Sequence, residues 1–302
     1  MGSRMFIIQG DGKLIPMTFV THRRIATIVI LLLAAALEVV PASTRAPYPW
    51  LLRFDAKDSV VDRIRPPRGY GYERHAQGGF AEWLLHLPLK PGRPPVYLHS
   101  GRKKANQTAH TAVLELDVGS ENLQQCADAI IRLRAEYLYS QGRDEDIHFS
   151  FTSGDRADFS RWEKGYRHRV SGHRVSWQRV VRPDASYAAL RSYLRVVFTY
   201  AGTASLAREL TAVPDAQQLR AGDVFITPGS PGHAVLVVAT SVNARGRRVF
   251  LLAQSYMPAQ DMHILKDPLA LGLSPWYQIP DGDHLVTPEW TFRTSDLRRF
   301  EE

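Results

Sequence analysis

The sequence predicts a single α+β domain in which helices come early and an antiparallel β-meander comes late. Three patterns in the 302-residue chain predict this fold class. Apolar residues recur at helical spacing over residues 122–139 and again over 187–200, and two apolar strands flank a turn at 243–246. No linker-like stretch interrupts the chain, so residues 47–302 are expected to form one domain.

The helices are predicted from their periodicity and their end signals. In the clearest one, at 122–139, Ser120 or Asn122 caps the start and Gly142 closes the end. Further helices are predicted at 80–86, at 187–200 and shortly after Gly202. The apolar stripe of the clearest helix consists of Leu123, Cys126, Ala127, Ile130, Leu133 and Tyr137.

The strands are predicted from short apolar runs bounded by turn residues. Prolines are dense over 47–101, where loops and extended segments are expected, and residues 276–300 are expected to be irregular. The predicted strands are 95–99, 112–118, 147–151, 221–226, 234–239 and 248–253.

Composition and charge exclude several classes of function. The single cysteine, Cys126, rules out an intramolecular disulfide and a multi-cysteine zinc site. The histidines lack metal-binding spacing, so no metal and no cofactor is predicted. The net charge of +8 comes from scattered residues without a nucleic-acid-binding signature, so nucleic acid is not an expected partner. The spacing of Asp117, Asp128 and Glu289 does not indicate a carboxylate pair.

The N-terminal residues 1–46 are interpreted as an export signal or an N-terminal anchor. A basic start at 17–25 is followed by a 13-residue apolar run at 25–37, which suits a signal-peptide core better than a membrane span of about 20 residues. Residues 1–16 precede a second plausible start, Met17, and are left out of the fold prediction. The sequence therefore predicts an exported protein of the periplasm or cell envelope, in contact with the membrane only if this segment is not cleaved.

Cys126, His233 and Gln254 are the residues from which the sequence predicts chemistry. A thiolate nucleophile is favoured by a helix N-terminus and a nearby histidine, and Cys126 lies early in the clearest helix. His233 begins the strand at 234–239, which would hold its ring in a fixed direction. A third polar group usually orients such a histidine, and Gln254 ends the neighbouring strand.

The hairpin turn predicts that His233 and Gln254 share one face. A turn within 243–246 places His233 either opposite Gln254 or diagonal to it and opposite Tyr256. The backbone N–H of Cys126, with the side-chain amide of Gln124 or Gln107, is a candidate oxyanion hole. Ser255 and Tyr256 follow Gln254 and are further candidates for substrate binding.

Structural interpretations of the same three residues remain open. Cys126 lies on the apolar stripe, where a cysteine also packs as a small hydrophobic residue. His233 follows Pro231 and Gly232 and is also consistent with a loop histidine at a strand end. Gln254 is also consistent with a side chain that satisfies a nearby backbone group.

Two family resemblances follow from longer motifs. The stretches 222–226 and 231–238, with the Cys126, His233, Gln254 order, resemble the papain-like peptidases and amidases of the NlpC type. That resemblance implies a papain-like core, with a central helix packed on the β-meander, and amide hydrolysis by a thiolate. The sequence departs from the family at Gln125-Cys126-Ala127-Asp128, and the long Cys-to-His separation implies an insertion around 150–200.

The whole mature chain resembles the bacterial domain-of-unknown-function family 4846. The motifs at 123–129, 132–137, 252–260, 274–276 and 287–290 carry this resemblance. It implies an exported envelope protein and no particular activity.

The expected function is that of an exported cysteine hydrolase acting on an amide or ester of the cell envelope, with peptidoglycan peptides among the candidate substrates. A non-catalytic ligand-binding protein, with residues 254–260 and the late aromatic residues as its groove, is one alternative. A thiol acyltransferase of the same fold is the other. The sequence makes no prediction of the oligomeric state.

Overall fold

The computed structural model describes residues 6–8, 14–16, 45–171, 174–270 and 272–301. The chain divides into two units, Met1–Ala42 and Ser43–Glu302. In the first, strands β1 (Phe6–Ile8) and β2 (Leu14–Pro16) pair antiparallel. The apolar run predicted as a signal core lies outside the described residues. None of the described helices has the length and apolar character needed to cross a membrane.

The second unit contains short helices and many strands. Its α-helices are α1 (Val60–Arg63), α2 (Phe80–Leu85), α3 (Cys126–Ser140), α4 (Phe159–Glu163), α5 (Tyr187–Tyr200) and α6 (Thr203–Glu209). Its strands are β3 (Tyr70–Tyr72), β4 (His110–Val113), β5 (His148–Ser150), β6 (Arg156–Asp158), β7 (Tyr166–Ser171), β8 (Arg174–Arg179), β9 (Thr211–Ala212), β10 (Val224–Thr227), β11 (His233–Asn243), β12 (Arg248–Gln254), β13 (His263–Leu265), β14 (Tyr277–Gln278), β15 (His284–Val286), β16 (Thr291–Arg293) and β17 (Leu297–Arg299).

Within the described part of the chain, nine strands form one antiparallel sheet. Its main path runs β4-β13-β12-β11-β10-β17-β9, with β14 beside β12 and β3 beside β11. The pairs β5–β6, β7–β8 and β15–β16 form separate two-stranded sheets. The protein is therefore a mixed α/β structure with antiparallel sheets, as the sequence predicts at this coarse level.

The central strands separate two apolar layers. Ala234, Leu236 and Leu251 face the layer that contains α3, whereas Val235 and Leu252 face the opposite layer. This alternation follows from the period of two along a strand. An irregularity between Val237 and Ala239 shifts the pairing of β11 with β12 by one residue.

Helix α3 begins four residues later than its periodicity predicts. Both expected caps, Ser120 and Asn122, lie before the helix, and the side-chain oxygen of Asn122 accepts a hydrogen bond from the N–H of Ala259 at 2.7 Å. Gln125 is the N-cap residue, and its N–H donates to the carboxylate of Asp128 at 3.1 Å. The later start moves Cys126 to the first helical position, and all fifteen helix residues are buried.

Several predicted strands are corrected by the structure. Residues 95–99 make only isolated bridges, at Tyr97 and Leu98, because the N–H groups of Val96 and Tyr97 donate to the side chains of Gln107 and Asp261 instead of to a neighbouring strand. Strand β4 starts earlier and ends earlier than the predicted 112–118. The C-terminal region expected to be irregular contains β14–β17, and β17 pairs with β10 inside the main sheet. These strands have two or three residues each, too few for a periodic signal.

Candidate active site around Cys126 and His233

Cys126 lies in the first turn of α3 at the edge of a cleft of about 260 Å³. Its side chain is 7% exposed, and backbone N–H groups of Ala127 and Ala234 interact with the sulfur. The cleft is formed by the start of α3, the α5–α6 junction and the loop before β11, and is lined by residues that include Asp128, Phe198, Gly202, Thr203, Pro231 and Met257. The buried thiol thus lies beside the first residues of β11.

His233 is held by one hydrogen bond and three aromatic rings. Its Nε2 is 2.9 Å from Oε1 of Gln254. The rings of Tyr256, Trp290 and Phe292 pack around the imidazole with centroids 4.6, 5.5 and 5.7 Å away. Of the two predicted registers, the structure has the diagonal one, since Leu236 pairs with Ala253 and β12 ends at Gln254.

The amide of Gln254 is oriented by an acid that the sequence did not single out for this role. Its Nε2 donates to Oε2 of Glu289 at 2.6 Å, so Oε1 is left to accept from His233. Glu289 also pairs with the ammonium of Lys104. Because a glutamine accepts only through oxygen, the Nε2–H tautomer of His233 is the one that fits, and its Nδ1 keeps a lone pair.

A second buried histidine completes the network behind Gln254. Nδ1 of His263 donates to the carbonyl of Asp261 at 2.8 Å, which leaves Nε2 as an acceptor. Nζ of Lys104 and Nε2 of Gln254 lie 3.3 and 3.4 Å from that nitrogen. One consistent set of donors and acceptors therefore runs from Asp261 to His233.

Burial determines the protonation of the two central groups. It raises the pKa of the Cys126 thiol to about 11, and the nearby Asp128 carboxylate adds to the rise, although the surrounding N–H groups oppose it. Burial lowers the pKa of His233 to about 4, against the opposing effects of Gln254 and Glu289. The resting pair at neutral pH is therefore a thiol and a neutral imidazole. No hydrogen bond joins the Cys126 sulfur to the His233 ring, both of which lie in the described part of the chain.

Asp128 is a further buried acid beside the thiol. Its side chain lines the cleft, and its Oδ1 has no hydrogen-bond partner among the described residues. Burial raises its pKa to about 8, while the N–H of Gln125 favours the charged form. The carboxyl of Asp128 is therefore largely protonated at neutral pH.

The other predicted site residues have structural roles in this arrangement. The amide of Gln124 donates to Asp117 O at 3.1 Å and accepts from Arg132 at 2.7 Å. Its oxygen and one of its two N–H donors are therefore engaged with Arg132 and Asp117. The hydroxyl of Ser255 hydrogen-bonds to the carbonyls of Gln124 and Gln260, which ties the end of β12 to the segment before α3.

Gln107 lies in a different cleft from Cys126. Its Nε2 donates to the carbonyls of Val96 and Lys104, and its Oε1 accepts from the N–H of Val96. With its amide engaged in these bonds, its expected part in an oxyanion hole does not agree with the structure. Tyr256, by contrast, lies at the site, against His233.

The sequence does not predict that Glu289 and Lys104 belong to the site, where Glu289 accepts from Gln254 and pairs with Lys104. Glu289 lies 35 residues from Gln254 and 185 from Lys104, so no local spacing connects them. In the sequence, Glu289 stands out only as a charged residue directly before Trp290. Among the described residues, no group of three or more His, Cys, Asp or Glu side chains is arranged to hold a metal ion.

Comparison with known proteins identifies the family. No curated protein and no solved structure matches the chain. A family model does match residues 60–299, a span that includes α3, the β11–β12 hairpin and Glu289. The chain therefore belongs to the family described as Domain of unknown function (4846).

Proposed function

We propose that this chain is an exported cysteine hydrolase with a papain-like core, acting on an amide or ester of the bacterial cell envelope. The observation that carries the proposal is the 2.9 Å bond between His233 Nε2 and Gln254 Oε1, one residue from the Ala234 N–H that interacts with the Cys126 sulfur. A nucleophile at a helix start, a base on a strand and a polar group orienting that base are the parts such chemistry requires.

In this mechanism His233 acts through Nδ1. That nitrogen takes the thiol proton as the sulfur of Cys126 attacks the carbonyl carbon, and then gives the proton to the departing amine or alcohol. Water then attacks the thioester, with His233 again as base, which releases the acid and restores the thiol. Gln254 keeps the ring in the tautomer that leaves Nδ1 free, and Glu289 keeps Gln254 in place.

The resting protonation states determine when the proton moves. The pKa values of about 11 and about 4 make the ion pair unfavourable by roughly 10 kcal/mol before the two charges attract each other. The proton is therefore transferred during attack on a bound substrate rather than beforehand.

The envelope location and substrate class are supported by the sequence. The basic and apolar pattern at 17–37 is typical of an export signal, and the resemblance to NlpC-type amidases favours peptidoglycan stem peptides as the first substrates to test.

A non-catalytic ligand-binding function is the second candidate. It is favoured by the raised pKa of the Cys126 thiol and by the lack of a hydrogen bond between the thiol and the imidazole. In that case the 260 Å³ cleft beside α3 would bind its ligand without cleaving it.

Hydrolysis of peptidoglycan fragments by the full-length protein tests the proposal. Released amines are measured with purified stem peptides, for the unchanged protein and for Cys126→Ala, His233→Ala and Gln254→Ala. The exposed His284 on β15 provides a matched control, His284→Ala. We expect Cys126→Ala and His233→Ala to abolish release, Gln254→Ala to reduce it about 10-fold or more, and the control to retain it. Binding of these peptides without cleavage would favour the second candidate instead.

A further inference from the structure

A second cleft, of about 570 Å³, lies outside the Cys126 site and shares no lining residue with it. It is formed by the loop at 93–95, the segment at 103–111 and the region around Lys266 and Ser274. Its volume is within the range of small-molecule sites in proteins. The lining residues are Arg93, Pro94, Pro95, Lys103, Gln107, His110, Thr111, Lys266, Ser274 and Pro275.

All the formally charged residues that line this cleft are positively charged. Arg93, Lys103 and Lys266 are exposed cations on its lining, and none of the lining residues is Asp or Glu. These three side chains make no ion pair with any described residue. Nearby cations are paired by contrast: Lys90 with Asp261 and Lys104 with Glu289.

The positive field extends to the histidine of the cleft. Burial lowers the pKa of His110, and the charges of Lys104 and Lys266 lower it further. The acid next to Lys266, Asp267, is engaged by the backbone N–H groups of Leu269 and Ala270. Asp267 is not among the lining residues, and no described carboxylate belongs to the lining of the cleft.

The backbone around the cleft is conformationally restricted, and the lining includes neutral hydrogen-bonding residues. Pro94, Pro95 and Pro275 restrict its backbone, and Gln107 ties Val96 to Lys104 through three hydrogen bonds. Thr111 and Ser274 are the two hydroxyl-bearing residues of the lining. Cations and hydroxyl-bearing residues that line one cleft are suited to an anion with several oxygen acceptors.

We propose that this cleft binds a phosphate-bearing anion with two or more negative charges. Arg93, Lys103 and Lys266 supply the charge, and Thr111 and Ser274 supply hydroxyl donors. The phosphate is carried by a soluble ester or by a lipid headgroup, which present the same chemistry to the cleft.

Calorimetric titration of the full-length protein with pyrophosphate tests this site at low and high salt. The test variant is Arg93→Gln/Lys103→Gln/Lys266→Gln. The matched control, Arg53→Gln/Lys57→Gln/Lys164→Gln, removes the same number of arginines and lysines from exposed positions elsewhere. We expect millimolar or tighter binding that weakens with salt, at least 10-fold weaker binding by the test variant, and a change of less than about 2-fold in the control.

Vesicles identify the source of the phosphate. Vesicles containing phosphatidylglycerol that bind the protein and release it on addition of pyrophosphate indicate a lipid headgroup. Pyrophosphate binding without vesicle binding indicates a soluble ester. No pyrophosphate binding at 10 mM, or equal losses of binding in the two triple variants, would overturn the proposal.

Thermal unfolding of both triple variants checks that they are folded. A pyrophosphate-induced rise in Tm that is confined to the unchanged protein and the control gives a second readout of binding.

Discussion

The thiol of Cys126 experiences two opposing influences. The helix start and the N–H groups of Ala127 and Ala234 favour a thiolate, whereas removal from water and the carboxylate of Asp128 favour a thiol. Burial is the larger effect, and it raises the pKa to about 11.

Alkylation of Cys126 by iodoacetamide should therefore be slow at pH 7 and increase as the pH approaches about 11. Asp128→Asn should lower the apparent pKa, because it removes the negative charge that adds to the rise. Mass spectrometry of the intact protein measures the rate, with Asp281→Asn at an exposed position as the control. An apparent pKa at or below the unperturbed value of ~8.5 would contradict the buried environment.

The pair of Lys104 and Glu289 is a largely buried charge contact, and Glu289 also accepts from the amide of Gln254. Removing Glu289 leaves Lys104 without its partner at 7% exposure and removes the acceptor of the Gln254 amide. Glu289→Ala should lower the free energy of unfolding by about 3 kcal/mol.

Urea unfolding measures this loss, and the double variant Lys104→Met/Glu289→Leu should recover much of it because neither charge remains. The matched control is Glu121→Ala, since Glu121 pairs with Arg195 at the exposed surface and should contribute little. Equal effects of Glu289→Ala and Glu121→Ala would contradict the structural role of Glu289.

Helix α3 is stabilised by apolar packing and by a hydrogen bond in its first turn. Its fifteen residues are all buried, and the Asp128 carboxyl accepts from the N–H of Gln125. The same carboxyl has a pKa raised to about 8 by burial, so in the folded protein it retains a proton that the unfolded chain releases near pH ~4.

The contribution of Asp128 to the free energy of unfolding should consequently fall as the pH rises from about 4 to about 8. Between those values the folded state binds more protons than the unfolded state, so the contribution of Asp128 declines by up to about 1.4 kcal/mol per pH unit. Asp128→Asn should flatten this slope, and urea unfolding at pH 5, 6, 7 and 8 measures it. An unchanged slope in Asp128→Asn, equal to that of Asp281→Asn, would show that Asp128 is ionised throughout.

In the molecule as a whole, strand β17 connects β10 of the main sheet to the edge strand β9. β17 pairs with β10 and β9, and Arg299 on β17 makes a bidentate contact at 2.6 and 2.7 Å with Asp223, just before β10. Asp223 is fully buried and also accepts from the N–H of Arg220. The glycine–aspartate motif at 222–223 thus has a structural role.

Asp223→Ala should lower the free energy of unfolding by about 3 kcal/mol, because Arg299 loses its ion pair with the buried Asp223 and β17 loses this contact with the residue before β10. Chemical unfolding measures the loss, and hydrogen exchange should show faster exchange in β17 and β9 than in β11 and β12. Asp281→Ala is the exposed control. A stability equal to that of the unchanged protein would show that β17 is held by its ladder and apolar contacts alone.

The amino-acid sequence alone predicts the features that repeat locally. The 3.6-residue stripe predicts α3 and α5, and the two apolar runs around 243–246 predict β11 and β12. The turn position also restricts the register closely enough to place His233 and Gln254 on one face, where they form a hydrogen bond. These features depend on residues close in the chain, which a pattern can connect.

The environment of each functional side chain, by contrast, depends on the folded arrangement of distant elements. Elements far apart in the chain bury Cys126 and His233 and bring Glu289 to Gln254. The folded chain also supplies hydrogen-bond partners for the amides of Gln124 and Gln107. The short strands near the C-terminus likewise form because neighbours in the sheet pair with them. Desolvation and partner choice arise from folded neighbours, and residue spacing carries no information about which neighbours those are.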